Sequence, residues 1–158
     1  MSVQSSKIQT RVKLRNLPER FRNLVPRNAE TAHKLRFLEI NGRVPALEGL
    51  HEFLLKDSKD VYKMVKNLKL QLVSKATVRD RKKIETGKRP NQKGIIEIKA
   101  TRGHSRLFAF FSSDRSLIIC THTYWKTSDN TKQQNREFDK AAGMRELYIA
   151  ATTKKGSN

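Results

Sequence analysis

The chain has 158 residues, with 34 Lys and Arg against 15 Asp and Glu, a net charge of +19 and a pI near 10.5. Hydrophobic residues make up 36%, with only 7 Gly and 4 Pro, which excludes bulk disorder and suffices for one packed domain with an appendage. A single cysteine, Cys120, excludes an intramolecular disulfide framework and suggests a reducing compartment.

So large a charge excess strains a compact chain by self-repulsion, which points to a polyanionic partner. Nucleic acid comes first, because phosphate contacts release counterions, and an anionic membrane second. No stretch approaches the ~18 apolar residues of a membrane span. The N-terminal MSVQSSKIQTRVKLRNLPERFR lacks the apolar core of a signal peptide, so the expected location is cytoplasmic, with no membrane partner.

Residues 1–33 hold seven Lys or Arg and two Glu and read as a basic arm, with a short helix near Pro18 to Leu24. Lys34 to Ile40 alternates as a strand, with Leu35 and Phe37 on one face and Arg36, Leu38 and Ile40 on the other. Asn41-Gly42 breaks it. Pro45 suits a first helical position, and Leu47, Leu50 and Leu54 follow at helical spacing. Asp57-Ser58 caps a second helix striped by Val61, Met64, Val65, Leu68 and Leu72.

Residues 74–93 carry eight Lys or Arg and read as a long basic loop. Three short strands follow, Ile95 to Ala100, Arg106 to Phe111 and Leu117 to Thr121, with a hairpin loop at 112–116. A terminal helix is predicted over Thr131 to Ile149, interrupted near Gly143, and a flexible tail over 150–158. The order is β-α-α-β-β-β-α. The expected fold is α+β in two layers, an antiparallel-rich sheet of about four strands on a helical hairpin.

The ordered series of local patterns resembles the HigB-like, phage-derived branch of the RelE/ParE toxin superfamily. It runs from Phe37-Leu-Glu-Ile-Asn-Gly-Arg-Val-Pro45 through Ile96-Glu97-Ile98-Lys99 and Arg106-Leu-Phe-Ala-Phe-Phe111 to His122-Thr-Tyr-Trp-Lys126. Glu137, Ala141 and Tyr148 follow in the terminal helix. It covers residues 34–149 and is best from 94 onward. The family shows two adjacent Lys after the aromatic where this chain has one, Lys126, which bears on catalysis before it bears on the fold. The resemblance implies a RelE/ParE-like fold and a type II toxin acting as a ribosome-dependent, metal-independent mRNA endoribonuclease. Its partners would be mRNA, the ribosome and a small antitoxin of helix-turn-helix type. A non-catalytic nucleic-acid binder of the same fold, or a ParE-like topoisomerase inhibitor, are the competing expectations.

The sequence holds no phosphate loop, no metal-spaced Cys/His array and no nucleophile motif, so no cofactor or metal is expected. Metal-free RNA cleavage needs a base for the 2′-OH, cations at the phosphate and an acid for the leaving oxygen. Strand alternation puts Glu97 and Lys99 on the open face of the sheet, with Ile96 and Ile98 toward the helices. Arg106, on the next strand, comes within reach of Lys99 and Arg102. The resemblance gives Arg106 the phosphate. Lys99 is a second cation or a base, His122 and Lys126 are acid–base candidates, and Tyr124 or Trp125 offers a stacking surface. His104 and the loop residues Arg81, Lys82, Lys83, Lys88 and Arg89 are RNA-binding candidates. Competing structural roles are a solvated Lys99, an Arg106–Glu97 ion pair, a strand-capping His122 and a core Trp125. Cys120 and His122 would share a strand face, an arrangement expected of a buried thiol beside a polar histidine rather than a metal site.

Overall fold

The computed structural model describes residues 10–156. The chain is α+β, built on one six-stranded mixed sheet. In chain order the elements are β1 (Val12–Arg15), β2 (Lys34–Ile40), α1 (Pro45–Lys56), α2 (Ser58–Val73), β3 (Ile84–Thr86), β4 (Ile95–Lys99), β5 (Ser105–Phe111), β6 (Leu117–Trp125) and α3 (Thr131–Gly156). Across the sheet the strands run β1-β2-β6-β5-β4-β3. All neighbours are antiparallel except β2 and β6, which α1, α2 and the strands β3 to β5 separate in the chain.

The helical hairpin matches its periodicity. Pro45 opens α1, and the Asp57 carboxylate caps α2 by accepting from the Asp60 N–H at 3.2 Å. Leu47, Leu50, Val61, Met64, Val65, Leu68 and Leu72 are buried with Leu35, Phe37, Ile96, Ile98 and Leu107 in one core. Gly49 lets α1 lie against β6, since a Cβ there would collide with the Thr123 side chain.

The layer count differs from the sequence expectation. The sheet is covered on both faces, not one. Helix α3 lies on the face opposite α1 and α2, where Phe138, Ala141, Ala142 and Met144 pack on Leu38, Ile95, Phe108, Phe110 and Ile119. The strand count rises from about four to six, because the basic arm contributes β1 and the basic loop contributes β3. Each is three or four residues long and pairs by its backbone with an edge of the four central strands. Helix α3 runs unbroken past Gly143, where a Cβ would meet nothing, and continues to Gly156 through most of the segment expected to be a tail. Residues 1–9 of the arm and 157–158 of the tail lie outside the described residues.

Candidate nucleic-acid interface

One irregularity in β6 sets the geometry of the site. Phe108 opposes His122 and Ala109 opposes Cys120, so Thr121 is an extra residue, a β-bulge. Before the bulge Cys120 faces α1 and α2. After it the phase has shifted, and His122 and Tyr124 face α3. Cys120 and His122 therefore do not share a face. Cys120 is fully buried, and burial raises its thiol above its ordinary range.

The bulge aligns Tyr124 with two cations. Lys99 pairs with Arg106 across β4 and β5, and Arg106 pairs with Tyr124 across β5 and β6. Directly opposed residues share a face, so these three form one transverse row. The sequence reading brought Lys99 and Arg106 together, and they are register partners. The next row reads Glu85, Glu97, Phe108, His122. That row lies under the first turns of α3, where Gln134 donates to Glu97 at 2.8 Å and His122 Nε2 meets Glu137 at 3.0 Å. Glu97 is thus 1% exposed rather than solvated, because the face assumed open carries a helix.

Arg106 is 7% exposed and held at several points. Its Nη1 donates to the carbonyls of Gly103 and Ser105, both at 3.0 Å, and its Nε lies 3.6 Å from the Glu97 carboxylate. That Nε is a buried donor with no hydrogen bond among the described residues. The Tyr124 hydroxyl, half-buried, also has none there. Burial pushes Glu97 above the usual carboxylate range, against the pull of Gln134, Lys99 and Arg106. Burial likewise lowers Arg106, opposed by Glu97 and Asp60. Lys99 is not a solvated strand residue. Its Nζ donates to Glu85 at 2.6 Å, and burial of Glu85 is outweighed by Lys99 and Arg81, which hold it below its usual range.

His122 is 1% exposed, stacked on Phe108 with ring centroids 4.9 Å apart, its Nδ1 3.0 Å from the Thr121 hydroxyl. Burial lowers its pKa, with Glu137 opposing, and the ring is shut in. In this conformation it touches no solvent and cannot meet a polymeric substrate. Lys126 follows β6, half-buried, with its Nζ 3.1 Å from the exposed Asp129.

Trp125 points to the other side of the sheet. It packs edge-on against Phe53 at 5.1 Å and stacks on the exposed His104 ring at 5.1 Å, with Lys56 Nζ 4.4 Å above it. It is at once a core anchor and a partly open aromatic surface. Arg102 is exposed, in the left-handed region at φ 60°.

The turn carrying Arg102 and His104 is pinned by Asp60, which the sequence reading missed. Its carboxylate accepts from the His104 N–H at 2.7 Å, the Ser105 N–H at 2.7 Å and the Ser105 hydroxyl at 2.6 Å. Desolvation raises the Asp60 pKa, but these bonds outweigh it and leave the group below its ordinary value. A Cβ on Gly103 would sit 2.6 Å from that carboxylate, so only glycine fits. Asp60 is an acid at the third position of α2, beside that helix's apolar stripe.

The loop candidates line the far edge of the sheet, away from the row's Tyr124 end. Arg81 pairs with Glu85 at 3.4 Å, Lys83 with Asp80 at 4.0 Å and Arg89 with Asp139 at 3.6 Å, while Lys82 and Lys88 are exposed. Beside β3, the last strand of the sheet, lies a groove of about 650 Å³ lined by Arg79, Arg81, Lys88 and Arg115.

The open part of this arrangement is the half-buried Tyr124 and the Lys126 ammonium beside Asp129, while the Arg106 Nε–H is buried against Glu97. No group of three metal-ligating side chains occurs among the described residues, and no helix there is long and apolar enough to cross a membrane. No protein-family model matches the chain, and neither a curated protein nor a solved structure matches it.

Proposed function

We propose that this chain is the toxin of a toxin–antitoxin pair, a RelE/HigB-like cytoplasmic endoribonuclease that cuts mRNA on the ribosome without metal. The observation that carries the reading is the transverse row Lys99, Arg106, Tyr124, brought onto one face by the Thr121 bulge. The α+β class fits the reading, while β1 and β3 make the sheet six strands rather than about four. In this reading Arg106 stabilises the charge that gathers on the scissile phosphate. A base takes the 2′-OH proton, the oxygen attacks phosphorus, and the bond to the 5′-oxygen breaks as an acid protonates that oxygen. Products carry a 2′,3′-cyclic phosphate and a 5′-hydroxyl. Tyr124, and Lys126 beside the exposed Asp129, are the base and acid candidates that such a substrate could reach, and His122 is not. The ribosome would supply the substrate positioning that so small a site lacks. The arginine-lined groove beside β3 suits an acidic antitoxin segment.

A second reading is a non-catalytic nucleic-acid binder. It is favoured by the internal pairing of all four catalytic candidates, Lys99 with Glu85, Arg106 with Glu97, His122 with Glu137 and Lys126 with Asp129. The test is to add the protein to ribosomes programmed with a defined mRNA and to the same mRNA alone. Cleavage on the ribosome only, leaving 5′-hydroxyl ends, is the expected result. Salt-sensitive binding with both mRNAs intact would overturn cleavage and leave the second reading.

A further inference from the structure

The acidic residues of this chain are few, and the structure shows where they are spent. Arg15, Arg22, Arg43, Arg81, Lys83, Arg89, Lys99, Arg106 and Lys126 each have a carboxylate partner. The outer face of α2 has none. Lys59, Lys63, Lys66 and Lys69 are all exposed there, at spacings of four, three and three residues, and none forms an ion pair among the described residues. Residues three and four apart are neighbours on a helix, so this is a continuous stripe of one sign, about 15 Å long at 1.5 Å per residue. The two acids of this helix region cannot relieve it. Asp60 is buried against the 103–105 turn and Asp57 caps the helix end. Like charges at this spacing oppose helix formation, so the stripe disfavours the free protein and becomes favourable only against a polyanion.

We infer that the exposed face of α2 is a docking surface for the phosphate backbone of base-paired RNA, separate from the Lys99–Arg106–Tyr124 row. The two lie on opposite sides of the sheet, because α2 packs on the face away from α3. Helix α2 is fastened beneath the site end by Asp60, and by Asn67, which donates to the Lys99 carbonyl at 2.7 Å. It therefore offers its charges on a rigid line. Duplex RNA is the occupant this surface fits. Duplexes are recognised by shape and phosphate contacts, whereas single strands require a run of aromatic stacking platforms. The stripe holds one exposed aromatic, Tyr62, at 53%, beside a shallow groove shared with Asn23 and Leu24. An anionic membrane is the poorer fit, since this face lacks the apolar wedge of an interfacial helix. The inference concerns binding and stands whether or not the row on the other side cleaves RNA.

The experiment uses the full chain and a blunt RNA duplex of about 16 base pairs, the span over which a protein contacts successive grooves. One variant replaces Lys59, Lys63, Lys66 and Lys69 with Gln. A charge-matched control replaces the exposed Lys13, Lys34, Lys75 and Lys93. The stripe variant is expected to lose at least about tenfold in affinity and to flatten the plot of log affinity against log salt by about 3–4, near one per phosphate contact. The control should flatten it by about 1 or less, and both variants should melt no lower than the parent. Equal losses in the two variants would reduce the effect to bulk charge and overturn the inference. So would unchanged duplex binding, or a stripe variant that loses only binding to anionic lipid vesicles. An Arg106 variant that stops cleavage yet keeps the parental salt dependence on this duplex separates the two sites.

Discussion

Replacing Arg106 with Ala is expected to lower ribosome-dependent cleavage by about 10²–10³-fold, the usual cost of removing one preorganised donor from a developing oxyanion. The same change removes the counter-charge 3.6 Å from buried Glu97, so a loss of about 3 kcal/mol of stability is expected alongside it. A paired substitution separates the effects. Glu97→Gln with Arg106→Gln removes both charges while leaving an oxygen to accept from Gln134, so folding should largely recover and cleavage should not. Urea unfolding reads the first and primer extension on programmed ribosomes the second. A double variant that cleaves at the parental rate would remove Arg106 from the chemistry.

The largest loss of stability is expected at Asp60. Asp60→Ala strips a buried carboxylate from three donors and leaves the His104 and Ser105 N–H groups unpaired, at a cost of about 3–5 kcal/mol. Unfolding free energies from urea titration check this, and a loss under about 1 kcal/mol would show that the turn holds without its pin. The pH dependence has a definite sign. Asp60, Glu85 and Glu137 are held below their ordinary values, so each contributes stability that is present above about pH 4 and is lost as pH falls through its folded value. His122 is also lowered, and its contribution declines as pH drops below about 6.5, where the unfolded ring takes up a proton. Glu97, raised, acts in the opposite sense, its contribution fading as pH rises through its folded value. Four groups to one, the melting temperature is expected to fall on acidification from neutral pH, and less steeply in Asp60→Asn.

Much of this fold is legible in the sequence, and the parts that are not have physical reasons. The helical hairpin could be placed because Pro45, Asp57 and two apolar stripes state its ends and its buried face together. Strands β1 and β3 could not, because three or four residues carry too little pattern and their pairing depends on neighbours distant in the chain. The covered second face was misread from Ile96-Glu97-Ile98-Lys99, whose alternation looks like one wet side. The better signal lay one strand on. In Leu107-Phe-Ala-Phe-Phe111 both alternating sets are apolar, as they are in Leu117-Ile-Ile-Cys120, which is the mark of strands buried on both faces. With α3 laid over that second face, Glu97 and His122 go inside.

For the site, Lys99 and Arg106 could be paired from strand order and a short turn, and their register bears that out. Tyr124 and His122 could not be placed, because a one-residue bulge inverts every later side chain and nothing in Cys-Thr-His-Thr-Tyr announces it. Asp60 was invisible for a related reason. A lone acid on an apolar stripe has meaning only once the turn it serves is known. The stripe of α2 lysines went unread because evenly spread charge on a helix looks like ordinary solvation until the carboxylates elsewhere are seen to be taken.

The central claim is that the row around Arg106 serves attack by an RNA 2′-hydroxyl on the adjacent phosphate. It is tested most directly with a ribosome-bound mRNA carrying one 2′-deoxynucleotide at the position normally cut. Cleavage at that phosphate is expected to vanish while binding and cuts elsewhere persist. Undiminished cleavage at the deoxy position would contradict the account.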